Sequence, residues 1–304
     1  MDWSKNKTLS ATECTMNNYP LKNWMASAPG IDQLTLGEVV WPGAHNAGLD
    51  YDFSYPAYVQ PAKNWFVCQD GPFIQQLNEG VRAFDVRLHA DEHWLGIKKF
   101  HTFHGLKLFR GRALSELVKS LNVFLSDNPN EFIVLDIHEL TGINNQPFDY
   151  KGLHEVITTE LGSRLIPRNN SHLTIEQLKR ISPVQRVVLA SDSHPDFRSP
   201  LYWPKIRHEW SGSDITSAEQ LKQHITRTLA NPPPSGSLWS LSATSYGELA
   251  GVKRITHELN QWFGPNSGWA PKCSIINADF IGATRLAEYC QQINHAKGLV
   301  KARG

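Results

Sequence analysis

Five short stretches place chemically capable side chains where a strand gives way to a turn. "VVWPGAHNAG" carries His45 and Asn46, "GVRAFDVRLHAD" carries Asp85 and Arg87, and "FHTFHGLKLF" carries His101 and His104. "FIVLDIHEL" supplies Asp136, His138 and Glu139, and "CSIINADFIGA" supplies Asp279. Two histidines can move a proton in each direction, and an arginine can hold phosphoryl oxygens with its planar fork of donors. That set suits phosphoryl transfer. Each member alone has a plainer explanation: a structural histidine, a buried ion pair between Asp85 and Arg87, a helix N-cap at Asp279. Gathered on the ends of different strands, they form the pattern of a barrel enzyme.

The elements that must position them follow from periodicity. Val39, Val40 and Trp41 supply a first strand, Glu38–Trp41, which Pro42 and Gly43 are expected to stop. Alternation puts Asp85 and Arg87 on one face of a strand over Ala83–Leu88, and turns Glu139 away from His138. Further strands are expected at Phe100–Phe103, Phe132–Ile137, Arg186–Ala190, Ser237–Leu241 and Ser274–Ala278. Between them lie helical patterns such as "ALSELVKSLNVFLSDNP", with Leu114, Leu117, Val118, Leu121, Phe124 and Leu125 on one face. Strand and helix alternate without a midpoint linker, which argues for α/β with a largely parallel sheet. "PGAHNAG" is no glycine-rich phosphate loop, so a doubly wound sheet is the weaker choice. The expectation is one domain over residues 1–304, an irregular (β/α)8 barrel of the TIM type.

Composition narrows the function classes. A formal net charge of +1 without a Lys/Arg run offers no field for nucleic acid. No apolar run is long enough to span a bilayer, and "MDWSKNKTLS" lacks the apolar core of a signal peptide, so a soluble monomer is expected. Cys14, Cys68, Cys273 and Cys290 show no C-x-x-C spacing, which speaks against a structural cysteine–zinc site. Thiols and disulfides both remain open for them.

Read in order, "VVWPGAHNAG", "NWFVCQDGPFIQQLNEGVRAFDVRL", "FHGLKLFRGRALSELVKSLNVFLSDNPNEFIVLDIHE" and "IINADFIGA" resemble the successive blocks of the phosphatidylinositol-specific phospholipase C X-domain family, in its bacterial single-domain members and animal X-domain-only relatives. The resemblance covers most of residues 21–294. It implies an irregular (β/α) barrel that cleaves phosphatidylinositol to diacylglycerol and a cyclic inositol phosphate. His45 would be the general base on the inositol 2-hydroxyl and His104 the general acid. Arg87 would be the cation on the phosphoryl oxygens, with Asp85 orienting it and Asp279 holding His45.

Two departures stand out. Asn46 replaces the aspartate of metal-independent bacterial members and matches a calcium ligand of the eukaryotic enzymes. Asn46 and Asp85 could therefore hold Ca2+. Arg87, in the metal's role, tips the expectation narrowly to no cofactor. The bacterial arginine that grips inositol has no evident counterpart, which leaves Asn46, His138, Asp192 and Tyr246 as headgroup contacts. The aromatic stretch "YDFSYPAYVQPAKNWF" suggests a membrane interface with Trp65 and Phe66 as its anchors, and a secreted or peripheral location. Metal-dependent glycerophosphodiester or sphingomyelin phosphodiesterases, and a non-catalytic lipid-binding barrel, are the rival readings.

Overall fold

The computed structural model describes residues 20–91, 99–105, 109–142, 146–197, 199–213, 215–248 and 251–303. The chain begins its regular structure with β1 (Trp41–Ala44), α1 (Phe73–Asn78) and β2 (Ala83–Asp91), followed by β3 (Lys99–Phe103) and β4 (Arg110–Ala113). Next come α2 (Leu114–Asp127), β5 (Ile133–Thr141), α3 (Tyr150–Leu161), α4 (Ile175–Ile181) and β6 (Val187–Ser191). Two short strands, β7 (Tyr202–Pro204) and β8 (Arg207–Glu209), precede α5 (Ala218–Ala230) and β9 (Trp239–Ala243). The hairpin β10 (Tyr246–Gly247) and β11 (Gly251–Val252), α6 (Thr256–Phe263), β12 (Ile275–Ala278) and α7 (Leu286–Lys301) complete it.

Eight strands form one curled parallel sheet in the order β7, β6, β5, β2, β1, β12, β9, β8. The two end strands are neighbours in sequence, separated by Lys205 and Ile206 alone. One bent segment therefore leaves one edge of the sheet at β7 and joins the other at β8, with no helix between. The expected α/β barrel is thus present, and irregular at this seam. The antiparallel arm made by β3 and β4 on the upper half of β2 is a second irregularity. It carries His104, which therefore lies beyond a strand outside the parallel sheet.

Alternation sorts the strand residues into two environments. Phe84, Val86, Leu135 and Ile137 pack outward against Leu117, Leu121, Phe124 and Ile157 of the surrounding helices. The opposite parity faces the lumen. At its base Trp41, Ala83, Val134, Val188 and Ile275 join Trp24, Ile31 and Leu36 from the N-terminal segment in a second apolar cluster. One layer higher stand Asp85 and Asp136, partners across the β2–β5 ladder. Apolar below and polar above, the same face changes character within two residues. Sealing the base is a fully buried Arg82–Glu131 pair, 2.8 Å apart.

The first strand differs from expectation. It starts at Trp41 and runs through Pro42 and Gly43 to Ala44, rather than stopping at them. Proline costs nothing at this point, because the ladder to β2 begins only at Gly43 and Pro42 contributes its carbonyl, which accepts from Arg82 N at 3.0 Å. Glycine is required at 43: a Cβ would stand 2.7 Å from Ile275 Cγ2 on the adjacent strand. Among the described residues, Cys68, Cys273 and Cys290 are buried free thiols, while Cys14 lies outside them. No helix among the described residues is long and apolar enough to cross a membrane.

Candidate active site

The ends of β1 and β12 are knotted together, and this presents His45. Its amide donates to Ala278 O at 3.1 Å, and Gln69 Nε2 donates to both His45 O and Ala278 O. The residues that turn the chain away, Asn46 and Phe280, have φ of 44° and 49°, the only non-glycine positive values among the described residues. Such strain is held where surrounding contacts over-determine the backbone, and it gathers at functional sites. Asp279, between β12 and that turn, reaches His45 Nδ1 at 2.7 Å.

The other ring nitrogen faces the lumen. Asn46 Nδ2 lies 3.2 Å and Arg87 Nη2 3.4 Å from His45 Nε2, with Asp85 Oδ2 at 4.0 Å. Both near neighbours are donors. The network therefore assigns the proton to Nδ1, donated to Asp279, and leaves the Nε2 lone pair directed at the cavity.

Asp85 and Arg87 share the lumen face, as alternation requires. Asp85 Oδ2 accepts from Asn277 Nδ2 at 3.0 Å. Burial pushes its carboxyl upward, but adjacent Arg87 and then His208, His138 and His45 outweigh it and hold Asp85 well below the usual carboxylate range. A register shift between Val86 and Arg87 pairs Arg87 with Glu139. Glu139 Oε2 consequently lies 3.6 Å from Arg87 Nη1, so this carboxylate belongs to the site's margin although simple alternation turned it from the adjacent histidine.

His104 closes the site from the β3 arm. Its ring stands edge-on to that of His45 with centroids 5.9 Å apart, and Tyr246 stands edge-on to both. Burial, then the charges of Arg87 and His45, lower the His104 pKa to about 3, so the imidazole rests neutral. Cys68, which sequence reasoning did not select, fills the space between: its Sγ lies 3.6 Å from Asn46 Nδ2, 3.7 Å from Tyr246 Oη and 3.9 Å from His104 Nδ1.

The structure thus brings together His45, Asn46, Asp85, Arg87, His104, Tyr246 and Asp279. His138 lies across the lumen, stacked on His208. Asp192 is not in that group and is tied to Lys205 at 3.0 Å. His208 is a site residue that sequence reasoning does not select: "YWPKIRHEW" holds two strands of three residues each, too short for alternation to show, with Pro204 ending the first. Phe66 is a correction. It is 1% exposed and stacked on Phe109, because it turns inward after the 3-10 segment Ala57–Trp65. The exposed aromatics of that segment are Tyr58 at 74% and Trp65 at 43%.

Comparison with known proteins finds similarity over most of the chain. The mouse PI-PLC X domain-containing protein 2 is 24% identical over 318 residues, covering 90% of this chain and 87% of that protein. Human PI-PLC X domain-containing protein 3 is 22% identical, covering 87% and 91%. The chain is similar to PI-PLC X domain-containing proteins over most of its length. The 1-phosphatidylinositol phosphodiesterase of Listeria monocytogenes is 24% identical over 59% of this chain and 51% of its own. The solved phosphatidylinositol-specific phospholipase C of that organism superimposes with a TM-score of 0.66 at 16% identity, covering 90% of this chain and 99% of the other. No family model matches the chain.

Proposed function

We propose that this chain is a phosphodiesterase that cleaves phosphatidylinositol to diacylglycerol and an inositol phosphate, the cyclic ester forming first. The observation that supports it most is the His45 pairing: Nδ1 is engaged by Asp279 at 2.7 Å, and Nε2 faces the lumen beside Arg87. In this reading Nε2 takes the proton of the inositol 2-hydroxyl, whose oxygen attacks phosphorus. Arg87 holds the non-bridging oxygens and Asp85 orients it. His104 protonates the departing diacylglycerol oxygen. Neutral at rest, His104 gains its proton once an anionic phosphodiester offsets the Arg87 charge that depresses it.

Calcium does not fit the residues proposed for it. Asn46 and Asp85 offer two side chains where this ion takes six to eight oxygens, and the Arg87 guanidinium beside Asp85 opposes a second cation there. The reaction is therefore assigned to protein groups alone. Asn46 and Tyr246 line the headgroup side, with His138 across the lumen. Tyr58 and Trp65 present aromatic surface that suits a lipid interface.

Phosphatidylinositol vesicles mixed with the full chain test this reading. Diacylglycerol release without added calcium is the expected result. Release that depends on added calcium would overturn the assignment to Arg87. Cleavage of other phosphodiester lipids but not phosphatidylinositol would overturn the headgroup, and no cleavage of any would favour a lipid-binding barrel.

A further inference from the structure

The lumen face of β5 and β8 carries a second cluster that takes no part in the proposed proton transfers. β5 delivers Asp136 and His138 two residues apart on one face, and β8 brings His208 against both. His208 Nε2 lies 2.7 Å from Asp136 Oδ2. The His138 ring stacks on the His208 ring with centroids 3.8 Å apart and planes 20° apart. One donor atom from each of the three residues lies within 4.8 Å of the others.

Three buried polar atoms on this wall have no partner within the protein: Asp136 Oδ1, His138 Nδ1 and, on the adjacent strand, Asp85 Oδ1. An unanswered buried polar atom costs about 1–3 kcal/mol, more when charged. The Asp85 charge is answered by Arg87, which leaves Asp136, its ladder partner, as the carboxylate that faces the two imidazoles. Such a wall favours a cation.

We propose that Asp136, His138 and His208 bind a borderline divalent cation of the zinc class. Two imidazoles and a carboxylate are the donor set that such ions select, and they are too rich in nitrogen for calcium or magnesium. Where His208 now shares a proton with Asp136 across 2.7 Å, the ion takes the proton's place and both residues become ligands. Three protein ligands leave at least one position free towards the lumen. A second grouping, His45, Cys68 and Asp279, is the competing location. There full burial disfavours the Cys68 thiolate a metal needs.

The test uses the full chain, stripped with a chelator and titrated with zinc by calorimetry, then with cobalt by absorbance. One equivalent should bind with micromolar affinity or better. Binding should persist in Cys68→Ser and weaken at least about tenfold in both His208→Ala and Asp136→Asn, the scale on which even supporting groups of metal sites act. Asp136→Asn conserves shape, and circular dichroism establishes that each variant is folded. The cobalt complex should lack a thiolate charge-transfer band. Failure to bind one equivalent, unchanged affinity in the folded Asp136→Asn protein, or a thiolate band lost in Cys68→Ser would each overturn the proposal. Binding is read without substrate, so any of these results leaves the cleavage reading untouched.

Discussion

Two histidine–aspartate pairs stand on the lumen face of this barrel, one buried and one part-buried, and both are 2.7 Å long. In the first, Asp279 engages Nδ1 of His45 and leaves Nε2 to Asn46 and Arg87 in the lumen. In the second, Asp136 engages Nε2 of His208, whose ring is covered by His138. The distance is the same and the chemistry is not. A carboxylate on one nitrogen prepares an imidazole for proton transfer only if the other nitrogen looks onto a substrate-sized space. The protonation tendencies differ accordingly. Burial works against charge on His208, but Asp136 and then Asp85 overcome it and raise its pKa. Burial and then the Arg87 charge instead keep His104, edge-on to His45, neutral.

The largest predicted break in this comparison is removal of the first pair's histidine. His45→Ala and His104→Ala should each lower phosphatidylinositol cleavage by ~10²–10⁴-fold in a folded protein, the usual contribution of a general acid or base. Near-normal turnover in either would remove that residue from the mechanism.

Asp279→Asn should cost about a hundredfold in kcat, at the lower end of that range, because an amide can donate to Nδ1 and move the histidine proton to Nε2. Asp136→Asn should cost less. Equal losses from the two substitutions would mean that the pairs are not functionally distinct.

Arg87→Gln should weaken cleavage and also move the His104 titration, followed by NMR, upward from about 3, since the Arg87 charge is one of the causes of its depression. A resonance that stays in place would remove Arg87 from the causes and leave burial and His45.

At the rim, Trp65→Ala should weaken vesicle binding severalfold while sparing a soluble inositol phosphodiester. Equal losses on both substrates would assign the tryptophan to packing.

The smallest effect concerns stability. Burial lowers the His138 pKa to about 4, from about 6.5 in the unfolded chain. Between those values the unfolded state binds the extra proton, so stability falls as pH drops through the window. His138→Asn should flatten that slope in urea unfolding measured at pH 7 and pH 5. An unchanged slope would place the proton uptake elsewhere.

Much of this was legible in the chain. Period-two alternation put Asp85 and Arg87 on one face, and the strand-then-turn pattern put His45 and Asp279 at strand ends, because side-chain direction in a strand follows from local geometry alone. Glu139 escaped that rule through a register shift, and His208 escaped it on a strand of three residues that begins three positions after Pro204. Phe66 was misassigned because an aromatic residue looks the same in sequence whether it faces lipid or stacks on Phe109.

Residue order thus established the alternating α/β pattern and the polar residues at several strand ends, all properties of neighbours along the chain. Which of those polar residues meet, and through which nitrogen, depended on pairs separated by more than seventy residues: His45 with Asp279, His208 with Asp136. Closure of the sheet through the bent segment 202–209 sets the second of these meetings, and the knot between β1 and β12 sets the first. Contacts of that kind arise from strand order and register, which local periodicity does not encode.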